Sequence, residues 1–162
     1  MWRGDPVLGS SQLWFWSIFA RVCLPFQSVH AWEKSVHDPS DAMRGVPALI
    51  KPNYHWFNVP VTTGEGDADN PLLHVATVAH PDDYVLMKLD IDTVVLEEAL
   101  VDQLLRGDTL LTLVDEFIWE HHVVFPSLQP YWGLEPGMKD QEATIALLSQ
   151  LRRRGVRAHS WV

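Results

Sequence analysis

Two groups of acidic and imidazole side chains follow apolar segments in the second half of the chain. Asp90 and Asp92 end one such segment, and Glu120, His121 and His122 end the next. Carboxylates that crowd together raise one another's pKa, which suits general acid–base catalysis. We therefore predict a catalytic centre made of Asp90, Asp92, Glu120 and His121. The simpler alternative is that these side chains cap helices and bind loop amides.

The same groups also offer the oxygen and nitrogen ligands that divalent cations prefer. On this interpretation the metal ligands are Asp90, Asp92, Glu120 and His122. Lys88 stands two residues before Asp90, on the same side of an extended segment, and is predicted to be the counter-ion of Asp90 or Asp92. The other histidines are scattered and lack the spacing of a metal-binding helix.

Regular elements that would position these residues begin at residue 70. Asn70 and Pro71 predict the start of a short helix that reaches about residue 79. Beyond it, strand and helix patterns alternate: a strand over 84–91, a helix over 94–106, a strand over 114–121, a helix over 140–154 and an extended segment over 156–162. This alternation predicts a mostly parallel, partial Rossmann-like α/β sheet with flanking helices, and ligands at the carboxyl ends of its strands.

Residues 1–69 have a different character and are predicted to form an irregular region with one or two helices. A helix is expected from Ser10 to about Cys23, ended by Pro25, and turn signals dominate after it. The region is rich in tryptophan, with Trp2, Trp14, Trp16 and Trp32. A small region would have difficulty burying so many indole rings, so self-association through this surface is expected.

Composition excludes several classes of function. The 162 residues include 21 acidic and 12 basic side chains, and a net charge of −9 disfavours general binding to nucleic acid. One cysteine permits neither an internal disulfide nor a cysteine-based zinc site. The most apolar stretch, residues 13–26, contains Arg21 and is shorter than the roughly 20 residues of a membrane span. We expect a soluble protein without a membrane span, with an intracellular location favoured.

The run Lys-Leu-Asp-Ile-Asp-Thr that begins at Lys88 resembles the Lys-x-Asp-x-Glu-Gly signature of FkbM-type methyltransferases. Lys88 and Asp90 match it, while Asp92 replaces the glutamate and Thr93 the glycine. The resemblance covers about residues 70–162 and implies a methyltransferase that uses S-adenosylmethionine, with Lys88 and Asp90 near the cofactor. It implies methyl transfer to an unknown small-molecule or glycan acceptor.

The resemblance covers only the acceptor side of that family's domain. A complete domain opens with a strand and a turn of the Asp-x-Gly-Ala-Asn-x-Gly kind, and no such turn occurs between Met1 and Asn70. The sequence therefore predicts a half-domain over residues 70–162 that is incomplete or inactive as a methyltransferase.

Alternatives of other classes stay open. The segment from Leu89 to Val95 is similar to the first motif of haloacid-dehalogenase-like phosphatases, which would make Asp90 a nucleophile and Asp92 a general acid with magnesium between them. Asp-x-Asp also resembles, more weakly, the metal motif of nucleotide-sugar glycosyltransferases. The non-enzymatic alternative is a vestigial or partner-binding domain.

Overall fold

The computed structural model describes residues 10–127, 130, 133 and 137–161, without the side chains of residues 10 and 11. The chain forms two compact units, Met1–Val61 and Thr62–Val162. The second unit therefore begins before the predicted boundary at residue 70. The segment ahead of Asn70 belongs to it because Gln103 Nε2 donates to the carbonyl of Thr63 at 2.5 Å and Asn70 Nδ2 donates to that of Gly64 at 3.0 Å.

The first unit contains two helices, a single 3₁₀ turn and two short strands among its described residues. They are α1 (Ser10–Arg21), β1 (Val29–Trp32), α2 (Pro39–Ala42), the 3₁₀ turn (Lys51–Asn53) and β2 (Tyr54–Phe57). The helix predicted from Ser10 is confirmed, but the parallel pair β1–β2 was not predicted. Strands of four residues are too short to show a hydrophobic period.

Buried aromatic and aliphatic side chains form a core of its own in this unit. Trp16 of α1 packs with Val46, Ile50 and Tyr54. Burying such apolar surface contributes roughly 25 cal/mol per Å². The tryptophans of the region thus divide, with Trp16 in the core and Trp14 exposed, whereas Trp2 lies outside the described residues.

The second unit is a three-stranded parallel sheet with helices. Among its described residues the elements are α3 (Pro71–Val78), β3 (Leu86–Leu89), α4 (Val94–Arg106), α5 (Asp108–Leu113), β4 (Glu116–Trp119), α6 (Gln141–Arg153) and β5 (Arg157–Ser160). The strand order is β3–β4–β5, and both pairings are parallel. The predicted mixed α/β fold with parallel strands and flanking helices is confirmed.

Local capping explains where α3 and α6 begin and where α6 ends. Asn70 Oδ1 accepts from the amides of Leu72 and Leu73 at the start of α3, and Asp140 Oδ1 accepts from the amide of Ala143 at the start of α6. Gly155 follows α6 with a backbone φ of +99°, a conformation that residues other than glycine rarely adopt. These boundaries therefore follow from capping residues that can be recognised in the sequence.

One face of the sheet is apolar and covered by helices. Leu89, Phe117, Trp119 and Ala158 are all buried there. The Trp119 indole donates a hydrogen bond to Glu97 of α4. His121, two residues later on the same side, forms a hydrogen bond with Thr144 of α6. Both crossover helices therefore pack on this face.

The opposite face, called the polar face below, carries mostly charged residues. Only Leu89 of the four residues of strand β3 is buried, and Leu86 and Lys88, which lie on the polar face, are half-buried. Alternation along the strands places nine residues on this face: Leu86, Lys88, Asp90, Glu116, Ile118, Glu120, Arg157, His159 and Trp161.

Within the described part of the chain, no helix has both the length and the apolar character needed to cross a membrane.

Candidate active site

Three residues from three strands form a row at the carboxyl edge of the polar face. Leu89 lies opposite Trp119, and Trp119 lies opposite Ser160, so the next positions are Asp90, Glu120 and Trp161. The backbone ladder continues through this row, since Glu120 N donates to Leu89 O at 3.0 Å and Trp161 N donates to Trp119 O at 2.8 Å. These three side chains are therefore fixed next to one another by the sheet itself.

Lys88 joins two members of this row. Its ammonium group forms an ion pair with the carboxylate of Asp90 and lies 5.0 Å from the centroid of the Trp161 ring. Only 14% of the Lys88 side chain is exposed. The cation is thus largely removed from water and held between a carboxylate and an aromatic ring, where its charge acts more strongly than at a free surface.

Glu120 has the most perturbed carboxyl group of the site. Burial is the first cause that raises its pKa, to about 7, and the neighbouring Asp90 carboxylate, with which it shares a hydrogen bond, is the second. The Lys88 ammonium lowers the pKa and only partly offsets these effects. A carboxyl group that titrates near neutral pH is suited to accept and return a proton.

Asp92 does not join Asp90. Residue 92 adopts φ +51°, and its side chain is 71% exposed, with Oδ1 3.6 Å from Nε2 of His122. The turn is fixed by the buried carboxylate of Glu97, whose Oε1 accepts from the amide of Ile91 at 3.0 Å. The two aspartates predicted to act together therefore have separate partners.

His121 lies on the helix-covered side and not at the predicted catalytic centre. Its side chain is 0% exposed, its ring stacks on that of Trp119 at 3.9 Å, and Nδ1 lies 2.9 Å from Thr144 Oγ1. Burial lowers its pKa, although Glu98 lies 3.4 Å from Nε2. Glu98, His121 and Thr144 are the residue types of a hydrolytic triad, but this burial makes the arrangement a structural link between helices.

Of the four residues predicted to form a catalytic centre, only Asp90 and Glu120 lie side by side. The structure brings Asp90 and Glu120 together with Lys88, separates Asp92, and removes His121 from the site. Trp161 was missed because it lies at the end of a segment that shows no period. Glu97 was missed although the spacing Glu97, Leu100, Val101, Leu104 places it on the buried stripe of α4.

A metal site was predicted at Asp90, Asp92, Glu120 and His122. Among the residues that the structure describes, no group of three or more histidine, cysteine, aspartate or glutamate side chains is arranged to hold a metal ion. Asp90 contacts Glu120, whereas Asp92 contacts His122, so the four side chains form two separate pairs. The four predicted ligands therefore do not form one cluster in the structure.

The resemblance places the S-adenosylmethionine site at Lys88 and Asp90. In the structure these two side chains form an ion pair with each other. A cleft of about 330 Å³ occurs in this unit, but Asn70, Leu72, Gln103 and Leu110 line it, away from the strand ends. A second cleft of about 150 Å³ is lined by residues of α4 and α6 and of the turn after α6.

Comparison of the chain with models of protein families, with curated proteins and with solved structures returned no match. The functional conclusion therefore depends on the geometry of the side chains.

Proposed function

We propose that the second unit is the acceptor half of a group-transfer enzyme in which Glu120 removes the proton from an acceptor hydroxyl group. The observation that supports this proposal is the position of the half-buried Glu120 carboxyl group beside Asp90, which raises the pKa of Glu120 to about 7. Methyl transfer from S-adenosylmethionine is the reaction that the resemblance implies. The steps assigned here concern only the acceptor.

Each member of the site has one task in this proposal. The ionised Glu120 carboxylate accepts the hydroxyl proton, so that the O–H bond breaks and the acceptor oxygen keeps the electron pair. Lys88, held beside Asp90, places a positive charge near that oxygen. Asp90 raises the pKa of Glu120 and so makes it a stronger base than an ordinary carboxylate.

The phosphatase alternative has no specific observation in its favour. It requires Asp90 and Asp92 to share one magnesium ion, and these side chains contact Lys88 and His122 instead.

The substitution Asp90→Asn tests the proposed base. It removes the repelling charge and frees Lys88 to attract Glu120, so the pKa of Glu120 should fall from about 7 toward its ordinary value. Carboxyl chemical shifts of Glu120, followed by NMR as the pH is varied, measure this directly.

The titration of Glu120 should also make the free energy of unfolding depend on pH. Because the folded-state pKa is raised, the stability due to Glu120 is fully present below pH 4.5 and is lost as the pH rises through 7. Asp90→Asn should flatten this dependence, whereas Asp102→Asn, on the exposed surface of α4, should leave it unchanged. A Glu120 that titrates at its ordinary value in the unmodified protein would contradict the proposal.

Self-association is a second candidate function, and the exposed surface of α1 favours it. Leu13 and Trp14 of α1 are exposed, as are Val22 and Leu24 in the segment that follows the helix. We propose that a second copy of the chain covers these apolar side chains, since exposed apolar patches commonly mark interfaces.

Sedimentation velocity over a concentration series tests this association. The replacement of Trp14 and Leu24 by serine should weaken it at least tenfold because both side chains would leave the apolar contact. Val36→Ser removes a side chain of the same unit that is 92% exposed and should have no effect. A chain that sediments as a monomer at every concentration would exclude this function.

A further inference from the structure

We infer that the acceptor is an aryl hydroxyl compound, a phenol whose ring packs on Trp161 while its hydroxyl group faces Glu120. This inference rests on the proposed function, since it names the substrate class of the same site. It also gives a role to an aromatic residue that the acid–base chemistry alone does not use.

The geometry of the row restricts where the acceptor can lie. Glu120 stands between Asp90 on one neighbouring strand and Trp161 on the other, and such strands lie about 4.8 Å apart. On the Asp90 side the surface carries the carboxylate that pairs with Lys88, and the ammonium group of Lys88 lies over the Trp161 ring. An apolar framework attached to the hydroxyl group would lose free energy beside the carboxylate. An aromatic framework next to the half-buried indole of Trp161 instead lies beside a cation that interacts favourably with aromatic rings.

A flat aromatic acceptor suits this indole. Aromatic rings pack against each other in offset or edge-to-face arrangements worth about 0.5–1.5 kcal/mol beyond the area that they bury. A ring seated there places its hydroxyl oxygen near the Lys88 ammonium, which already lies 5.0 Å from the indole centroid. The site thus offers an aromatic surface at Trp161 and a base at Glu120, both in the row, and a cation at Lys88, two residues before Asp90.

Proton affinity also selects phenols over aliphatic alcohols. A phenolic hydroxyl group has a pKa of about 10, and transfer of its proton to a nearby base costs least when the two pKa values are close. The proton passes from the phenol oxygen to a carboxylate oxygen of Glu120, and the phenolate that remains is stabilised by Lys88. Aliphatic hydroxyl groups hold their protons far more tightly.

Titration calorimetry of the full chain with 4-methylphenol tests the inference. Saturable binding is expected, and Trp161→Ala should weaken it at least tenfold because the aromatic contact is lost. Trp161→Phe, which keeps an aromatic ring, should bind within about threefold of the unmodified chain. Trp14→Ala removes an exposed tryptophan of the first unit and should leave binding unchanged.

Two further probes decide the substrate class. Cyclohexanol has a similar size without aromaticity and should bind more weakly than 4-methylphenol. Tighter binding of methyl glucoside than of 4-methylphenol would overturn the inference in favour of a glycan acceptor. An absence of saturable binding of 4-methylphenol would overturn it as well, as would equal losses in Trp161→Ala and Trp14→Ala.

The failure of this inference differs from the failure of the proposed function. The base is tested by the titration of Glu120, which needs no ligand, whereas the acceptor class is tested by binding. A Glu120 that titrates near 7 in a chain that does not bind phenol leaves the base in place and removes only the aryl acceptor. Thermal unfolding of Trp161→Ala and Trp161→Phe confirms that the variants compared are folded.

Discussion

Replacement of Trp119 by alanine is expected to lower the free energy of unfolding by about 3–5 kcal/mol. Trp119 is 0% exposed at the centre of the helix-covered face, so the substitution leaves a large cavity in the second unit. Its indole nitrogen also donates a hydrogen bond of 3.0 Å to Glu97 Oε2. The loss therefore combines a cavity with a buried carboxylate that has one donor fewer.

Trp119→Phe separates these two contributions. Phenylalanine fills most of the space but donates no hydrogen bond, so Glu97 keeps only the Ile91 amide as a donor, at a cost of about 1–3 kcal/mol. Denaturant unfolding of both variants measures the difference. Trp161→Ala is the matched control, since the same substitution at a half-buried edge position should cost clearly less. Equal losses for Trp119→Ala and Trp161→Ala would contradict the central position of Trp119 in the core.

The helices of the second unit could be predicted closely because their ends depend on local residues. The prediction of 94–106 for α4 agrees with the structure, and Asn70 and Asp140 cap their helices as expected. The strands were predicted too long, since β3 and β4 have only four residues each. The ends of a strand are set by its hydrogen bonds to neighbouring strands, and the pattern of residues along a single segment does not predict those bonds.

The candidate site was predicted less well because its members depend on which face each side chain takes. His121 and Glu120 are adjacent in the sequence but lie on opposite faces, and alternation from the apolar Trp119 would have placed His121 among the buried residues. The pairing of Asp90 with Glu120, in contrast, follows from the register of two strands distant in sequence. The row with Trp161 needs a third strand, and no local pattern carries that information.

The substitution Glu97→Gln should disturb both the core and the acid–base site. Glu97 accepts from the Ile91 amide through Oε1 and from the Trp119 indole through Oε2, each at 3.0 Å. A glutamine of the same size has a single acceptor oxygen, so its amide nitrogen faces one of these two N–H groups. We expect a loss of about 1–3 kcal/mol in the free energy of unfolding.

The dependence of this loss on pH follows from the ionisation of Glu97. Burial raises the pKa of Glu97 above its ordinary value of 4.5, ahead of the opposing hydrogen bonds from Ile91 and Trp119. The stability that its protonated form contributes is therefore complete below pH 4.5 and declines as the pH rises through the folded-state pKa. Glutamine does not titrate, so the difference in stability between the unmodified chain and Glu97→Gln should be largest in acid and should narrow as the pH rises.

Denaturant unfolding at acidic and at neutral pH measures that difference, and Asp102→Asn makes the matching acid-to-amide change on the exposed surface of α4. The side chain of Asp102 is 65% exposed and pairs with Arg106, so its substitution should cost less. Because Glu97 fixes the turn that carries Asp90, Glu97→Gln should also shift the titration of Glu120 toward its ordinary pKa, whereas a purely structural residue would leave that titration unchanged. If Glu97→Gln is as stable as the unmodified chain at both pH values, the buried carboxylate does not hold this turn.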